Sequence, residues 1–111
     1  MLQKKDILDV DDRPTREVRI KEWHNSVLVK AISAADRDDF ERLFRDNSNK
    51  HSLRAWCASR FLVDSEGNRL FTDADLPALA EKSAEALDRI LEAGLELSGM
   101  SKGGVEELEK N

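Results

Sequence analysis

Apolar residues in this chain recur with two periods, and the change from one to the other divides it. In "EVRIKEW", Val18 and Ile20 alternate with Glu17, Arg19 and Lys21, the two-residue period of a half-buried strand. Val27, Val29 and Ala31 alternate in the same way through "SVLVKAI". A tight turn at His24-Asn25 joins the two runs into a β-hairpin. It pairs Ile20 with Val29 and Val18 with Ala31 on an apolar face, and sets Arg19 opposite Lys30 on the other. Asn accepts the positive φ that such a turn demands; His does so less readily.

From residue 33 the period lengthens to that of helices. Ser33-Ala-Ala-Asp36 resembles a capping box, and Phe40, Leu43 and Phe44 then fall at i, i+3 and i+4, with charged residues between them facing water. Asp46-Asn-Ser-Asn49 breaks this helix. Ser52 caps the next, whose apolar stripe of Leu53, Trp56, Cys57 and Phe61 runs on to Val63 and marks the centre of the core. Asp73 or Asp75 suits the cap of a further helix with Pro77 in its first turn, where a missing N–H costs little. Ser83 opens a long segment carrying Leu87, Ile90, Leu91 and Leu95, and Gly99 suits its C-terminal cap. A last short helix, capped by Ser101, has only Val105 and Leu108 to bury. Before the hairpin, residues 1–15 are polar and read as a loosely ordered arm, with either a short helix or an ordered arm around Lys4–Leu8. The fold class is therefore α+β, an antiparallel hairpin packed on a bundle of about four or five short helices. We read residues 1–111 as one domain, with 100–111 as its terminal helix.

Composition narrows the function. Apolar residues make up 40% of the 111 and charged ones 37%, which suits a small domain with heavily solvated faces. No stretch approaches the roughly 20 apolar residues of a membrane span, and the opening "MLQKKDILDVDD" carries charges where a signal peptide needs an apolar run. Cys57 is the single cysteine, which excludes an internal disulfide and fits a reducing compartment. Residues 1–63 hold 13 Lys/Arg against 11 Asp/Glu, and residues 64–111 hold 5 against 12. So acidic a second half argues against broad nucleic-acid binding. A narrower RNA contact through Arg16, Arg19, Lys21 and Lys30 stays open.

The stretch "VDSEGNRLFTDADLP" at 63–77 invites a calcium-loop reading. With Gly67 at the sixth loop position, the first ligand position is Leu62, the ninth is Leu70 and the twelfth is Asp73. A leucine removes a required carboxylate, and aspartate is one methylene short of the usual bidentate glutamate. Asp-Ser-Glu-Gly-Asn instead makes a good turn, after which Leu70 or Phe71 drops onto the core. His24 and His51 lie in turns far apart, and no second cysteine exists to build a zinc site. Cys57 on the apolar stripe reads as a buried, inert thiol. Asp36, Asp38 and Asp39 read as a solvated helix face, and Gly103-Gly104 does not form a phosphate loop. We expect no catalytic residues, no metal and no cofactor, and a protein that binds or assembles with others.

Several strings, in order and in spacing, carry a resemblance. They are Lys-Lys-Asp-Ile-Leu from position 4, "VRIKEWHNSVLVKAIS", "AADRDDFE", "LVDSEGNRLFTDADLPALAEKSAEALDRI" and "LSGMSKGGVEELEKN". Together they resemble the tail assembly chaperones of long-tailed bacteriophages of the siphophage type and their prophage relatives. The resemblance implies a non-enzymatic protein of the host cytoplasm, absent from the finished virion. Such a protein binds the tape measure protein, keeps it soluble and recruits tail tube subunits. It also implies that a frameshifted longer form would join at Val105–Asn111, and it leaves self-association open. Exposed apolar contacts within a charged surface suit such work, and the candidates are Trp23, Val105 and Leu108. The other class in view is a small interaction or regulatory module of phage origin, such as an anti-repressor-like or toxin-neutralising protein.

Overall fold

A computed structural model describes residues 1–45 and 51–100. Among them the order is α1 (Lys4–Asp9), β1 (Thr15–Ile20), β2 (Asn25–Lys30), α2 (Ala34–Arg45), α3 (Leu53–Phe61), β3 (Leu62–Val63), α4 (Leu76–Ala80) and α5 (Ala84–Leu97). The three strands form one antiparallel sheet in the order β1-β2-β3, and the α+β class holds. The break at 46–49 and the terminal helix from Ser101 lie outside the described residues.

Local capping chemistry sets most helix starts. The Ser33 Oγ accepts the Asp36 N–H at 3.2 Å, the Ser52 Oγ accepts that of Ala55 at 3.3 Å, and the Ser83 Oγ accepts that of Ala86 at 3.2 Å. Each bond satisfies a first-turn donor that the helix cannot satisfy itself. Gly99 at φ +68° ends α5. Its N–H donates to the Glu96 carbonyl at 3.2 Å and that of Met100 to Leu95 at 2.8 Å, the paired bonds of a Schellman cap.

The core lies where α5 covers one face of the hairpin and α3 packs against α5. Ile20 and Val29 from the hairpin meet Phe61 and Leu62, with Leu87 and Ile90 from α5. Phe40, Phe44 and Trp56 form an aromatic cluster with ring centroids 5.2–6.0 Å apart, within the range of favourable ring pairs. The expected stripe of α3 is the buried centre of the protein, with Trp56, Cys57 and Phe61 all nearly inaccessible.

The hairpin register differs from the one expected. Ile20 faces Asn25, Val18 faces Val27 and Arg16 faces Val29, while Arg19 lies opposite Ser26 and Lys30 opposite Thr15. The connection is not a two-residue turn. Lys21–Trp23 form a 3₁₀ turn closed by His24 at φ 53°, whose N–H donates to the Lys21 carbonyl at 3.2 Å. The longer loop slides the pairing by four residues. Four is even, so each side chain keeps its face, and Ile20 and Val29 still point inward. Ala31 sits beyond the strand, its N–H donated to the Pro14 carbonyl.

Two further expectations are corrected. The α3 stripe does not continue to Val63: the helix stops at Phe61, and Leu62–Val63 turn into β3 against Val29 and Leu28. Asp36 is not on a solvated face either. It lies 3.7 Å from Arg60, a guanidinium buried against the Trp56 ring at 4.4 Å. Arg60 also donates to Ser59 Oγ at 2.9 Å and Asp73 at 2.6 Å, joining α2, α3 and the segment before α4.

Candidate partner-binding site

The stretch that invited a calcium reading is a closed turn. One oxygen of Asp64 accepts the Glu66 N–H at 2.8 Å and the Asn68 N–H at 3.0 Å, and Gly67 takes φ +86°, where glycine alone is unstrained. The Asp64 carboxylate is thus turned onto its own backbone. Among the described residues no group of three or more His, Cys, Asp or Glu is placed to hold a metal ion. After the turn Phe71 reaches the core, while Leu70 stays about half exposed. Helix α4 is entered through Thr72, not through a carboxylate cap. Thr72 and Asp75 bond reciprocally around a 3₁₀ turn at Asp73–Asp75, with the Thr72 N–H donated to Asp75 at 2.8 Å. Asp75 occupies the N-cap position of α4 without capping it, and Asp73 is drawn to Arg60.

This entry places α4 beside the hairpin tip, and between them lies an apolar groove. Trp23, Phe71, Ala78 and Leu79 line it, with Asp75 and Lys82 at the rim, enclosing a volume of about 340 Å³. Trp23 is partly buried here and leans on the core. The 3₁₀ turn that carries it is clamped to α5. Arg89 donates to both oxygens of Glu22, at 3.0 and 3.1 Å, in the bidentate geometry that makes arginine–carboxylate pairs directional. The hydrogen bond from Arg89 holds the Glu22 carboxyl below its usual range, and the carboxylate raises the guanidinium in turn.

Of the expected contact residues, Trp23 lines this groove, whereas Val105 and Leu108 lie outside the described residues. Glu22 and Arg89 were not anticipated. They are 67 positions apart, and nothing local in the sequence links them. The four cations of the RNA reading do not share a face. Arg16 turns to Glu96 on α5 at 3.4 Å, and Lys30 is largely covered, 4.0 Å from Asp11. A second apolar feature lies apart from the groove. Helix α1 buries none of its residues, and Leu2, Ile7, Leu8 and Val10 are each more than half exposed.

An open apolar groove with few polar groups and a rigid aromatic edge can take up apolar side chains of another polypeptide. No helix among the described residues is long and apolar enough to cross a membrane. The chain belongs to the phage tail assembly chaperone family, whose family model matches residues 11–111 and so leaves α1 outside the match. The fold is also that of the bacteriophage HK97 tail assembly chaperone. That structure superposes with a TM-score of 0.64 over 88% of this chain and 95% of its own, at 14% identity. No curated protein matches the chain.

Proposed function

We propose that this protein binds the tape measure protein of its phage, keeps that long helical chain soluble before the tail forms, and brings tail tube subunits to it. It works by contact alone, without catalysis, in the host cytoplasm, and is left out of the mature virion. The observation that carries this reading is the family match across residues 11–111. The physical support is the groove beside Trp23. A chaperone for an amphipathic helix must cover apolar side chains without aggregating itself, which requires a small apolar surface on a charged body. Here one such surface is the groove of Trp23, Phe71, Ala78 and Leu79, lined also by Asp75 and Lys82, on a chain of net charge −5.

The test is co-expression with the tape measure protein, followed by capture through a tag on this chain. The wild type brings down soluble tape measure protein. Trp23→Ala, which removes the aromatic wall of the groove, brings down several-fold less while melting cooperatively. Capture unchanged by Trp23→Ala would remove the groove from the account, and no capture by the wild type would remove the function.

A further inference from the structure

Leu70 and Phe71 are neighbours in the chain, yet they serve different surfaces. Phe71 lines the groove of Trp23 and leans on the core. Leu70, 49% exposed, lines a second pocket of about 470 Å³. This pocket sits on the face of the sheet away from α5. Ile20 and Val29 point into the core, so by strand alternation Leu28 points away from it. Val63 pairs with Leu28 across β2 and β3 and points the same way. Val63 is 5% exposed and forms the floor, with Leu28 and Leu70 as accessible walls and Glu17 as the charged side chain beside them. The backbone explains the divergence of residues 70 and 71. The Leu70 N–H donates to the Leu62 carbonyl at 3.2 Å, next to a bridge between Val63 and Arg69, which holds Leu70 beside β3. The chain then turns at Thr72 toward α4 and brings Phe71 to the groove.

We infer that the pocket of Leu28, Val63 and Leu70 is a second subsite for the client helix that enters the Trp23 groove, and that this helix crosses the chain at Leu70–Phe71. The inference rests on the function proposed above and adds what the client's sequence must carry. Continuity selects this occupant. One peptide joins the two surfaces, its Cα atoms ~3.8 Å apart, so an occupant of the groove lies beside Leu70. Size selects it too. Six of the described residues line the groove, against the roughly 20–30 per side of a standard interface. The groove alone is too small to hold and shield a helix. A helix shows apolar side chains at i, i+3 or i+4, and i+7 over ~10 Å, which sets one in the groove and another past Leu70. Charge then defines the second position. The groove carries one charge of each sign, at Asp75 and Lys82, whereas the outer pocket carries Glu17. The client is therefore an amphipathic helix with apolar positions about two turns apart, one of them flanked by a lysine or arginine that meets Glu17.

Capture of co-expressed tape measure protein by the full chain tests the subsite separately from the groove. Leu70→Asp puts a carboxylate on an exposed side chain and leaves its backbone bond to Leu62 in place. It brings down several-fold less tape measure protein than the wild type, while Leu70→Met brings down as much and Glu17→Lys falls between them. Circular dichroism melts establish that each variant is folded. A second readout leaves Leu70 untouched, and it decides the matter should Leu70→Asp melt early. Cys57 is buried, so a polarity-sensitive dye on Ser26→Cys labels the wall of the outer pocket, and its emission shifts to the blue when tape measure protein binds. Wild-type capture by a folded Leu70→Asp, or a dye that does not shift in a complex that forms, would overturn the subsite and leave the groove standing. No capture by the wild type would overturn both.

Discussion

Gly94 lies within α5, where intrinsic helix propensity favours alanine by roughly 1 kcal/mol. Packing argues the other way. A methyl group at this position would stand 2.4 Å from two carbons of the Phe61 ring and 2.5 Å from a third, well inside the ~3.5 Å of ordinary carbon contact. Phe61 closes α3, is 1% exposed and has no open side into which to retreat. Overpacking of a filled core costs about 1–3 kcal/mol, and three close ring atoms put this site near the upper end. Gly94→Ala therefore destabilises by about 1–2 kcal/mol net of the propensity gain. At about 4–8 °C per kcal/mol for a domain near this size, Tm falls by roughly 5–15 °C. Thermal melts followed by far-UV circular dichroism, with urea titrations to check that the m-value is unchanged, measure the effect. Phe61→Leu should also cost less in the Gly94→Ala background than in the wild type, with a coupling of at least ~0.5 kcal/mol. A Tm that rises on Gly94→Ala, or an absence of coupling, would refute the close approach of α3 and α5.

Two further predictions concern the supports of the groove. Arg60→Met leaves a thioether over Trp56 but takes the cation from Asp36 and one of two from Asp73, which keeps Arg69 at 3.4 Å; the cost is about 1–3 kcal/mol, discounted because both carboxylates reach water, and is read from urea unfolding. The hydrogen bond from Arg60 holds the Asp73 carboxyl below its ordinary 3.8. A lowered folded value contributes stability that is present above that pH and lost as pH falls through the folded value, so Asp73→Asn flattens the acid limb of the stability profile below about pH 4. Gly67→Ala forces a side chain into φ +86° at a cost of roughly 1–2 kcal/mol, without changing capture of the tape measure protein, because the turn at 64–68 lies outside the groove.

What the sequence disclosed was what neighbouring residues decide among themselves. Ser33, Ser52 and Ser83 cap helices because a hydroxyl reaches an amide three residues on, and Gly99 ends α5 because the backbone there needs positive φ. The inward faces of both hairpin strands were legible for the same reason, since alternation settles the face whatever the register. The register was not legible. It depended on Lys21–Trp23 closing a 3₁₀ turn with His24 in the left-handed region, a choice that the Glu22–Arg89 clamp supports from 67 positions away. Strand β3 was hidden because two apolar residues following a helix read as more helix until a strand is there to pair with them. Trp23 was found as an apolar residue at a hairpin tip. Its partners Phe71, Ala78 and Leu79 come from a segment whose entry turned on Thr72 bonded to Asp75, while Asp73 was drawn to Arg60.

The account rests on this chain shielding a helical client, and soluble yield measures that directly. Tape measure protein expressed alone should be largely insoluble. With the wild-type chain it should stay in the supernatant and co-purify with it, and with Trp23→Ala most of it should return to the pellet. Tape measure protein that stays insoluble beside abundant, folded wild-type chain, with none co-purifying, would contradict the account.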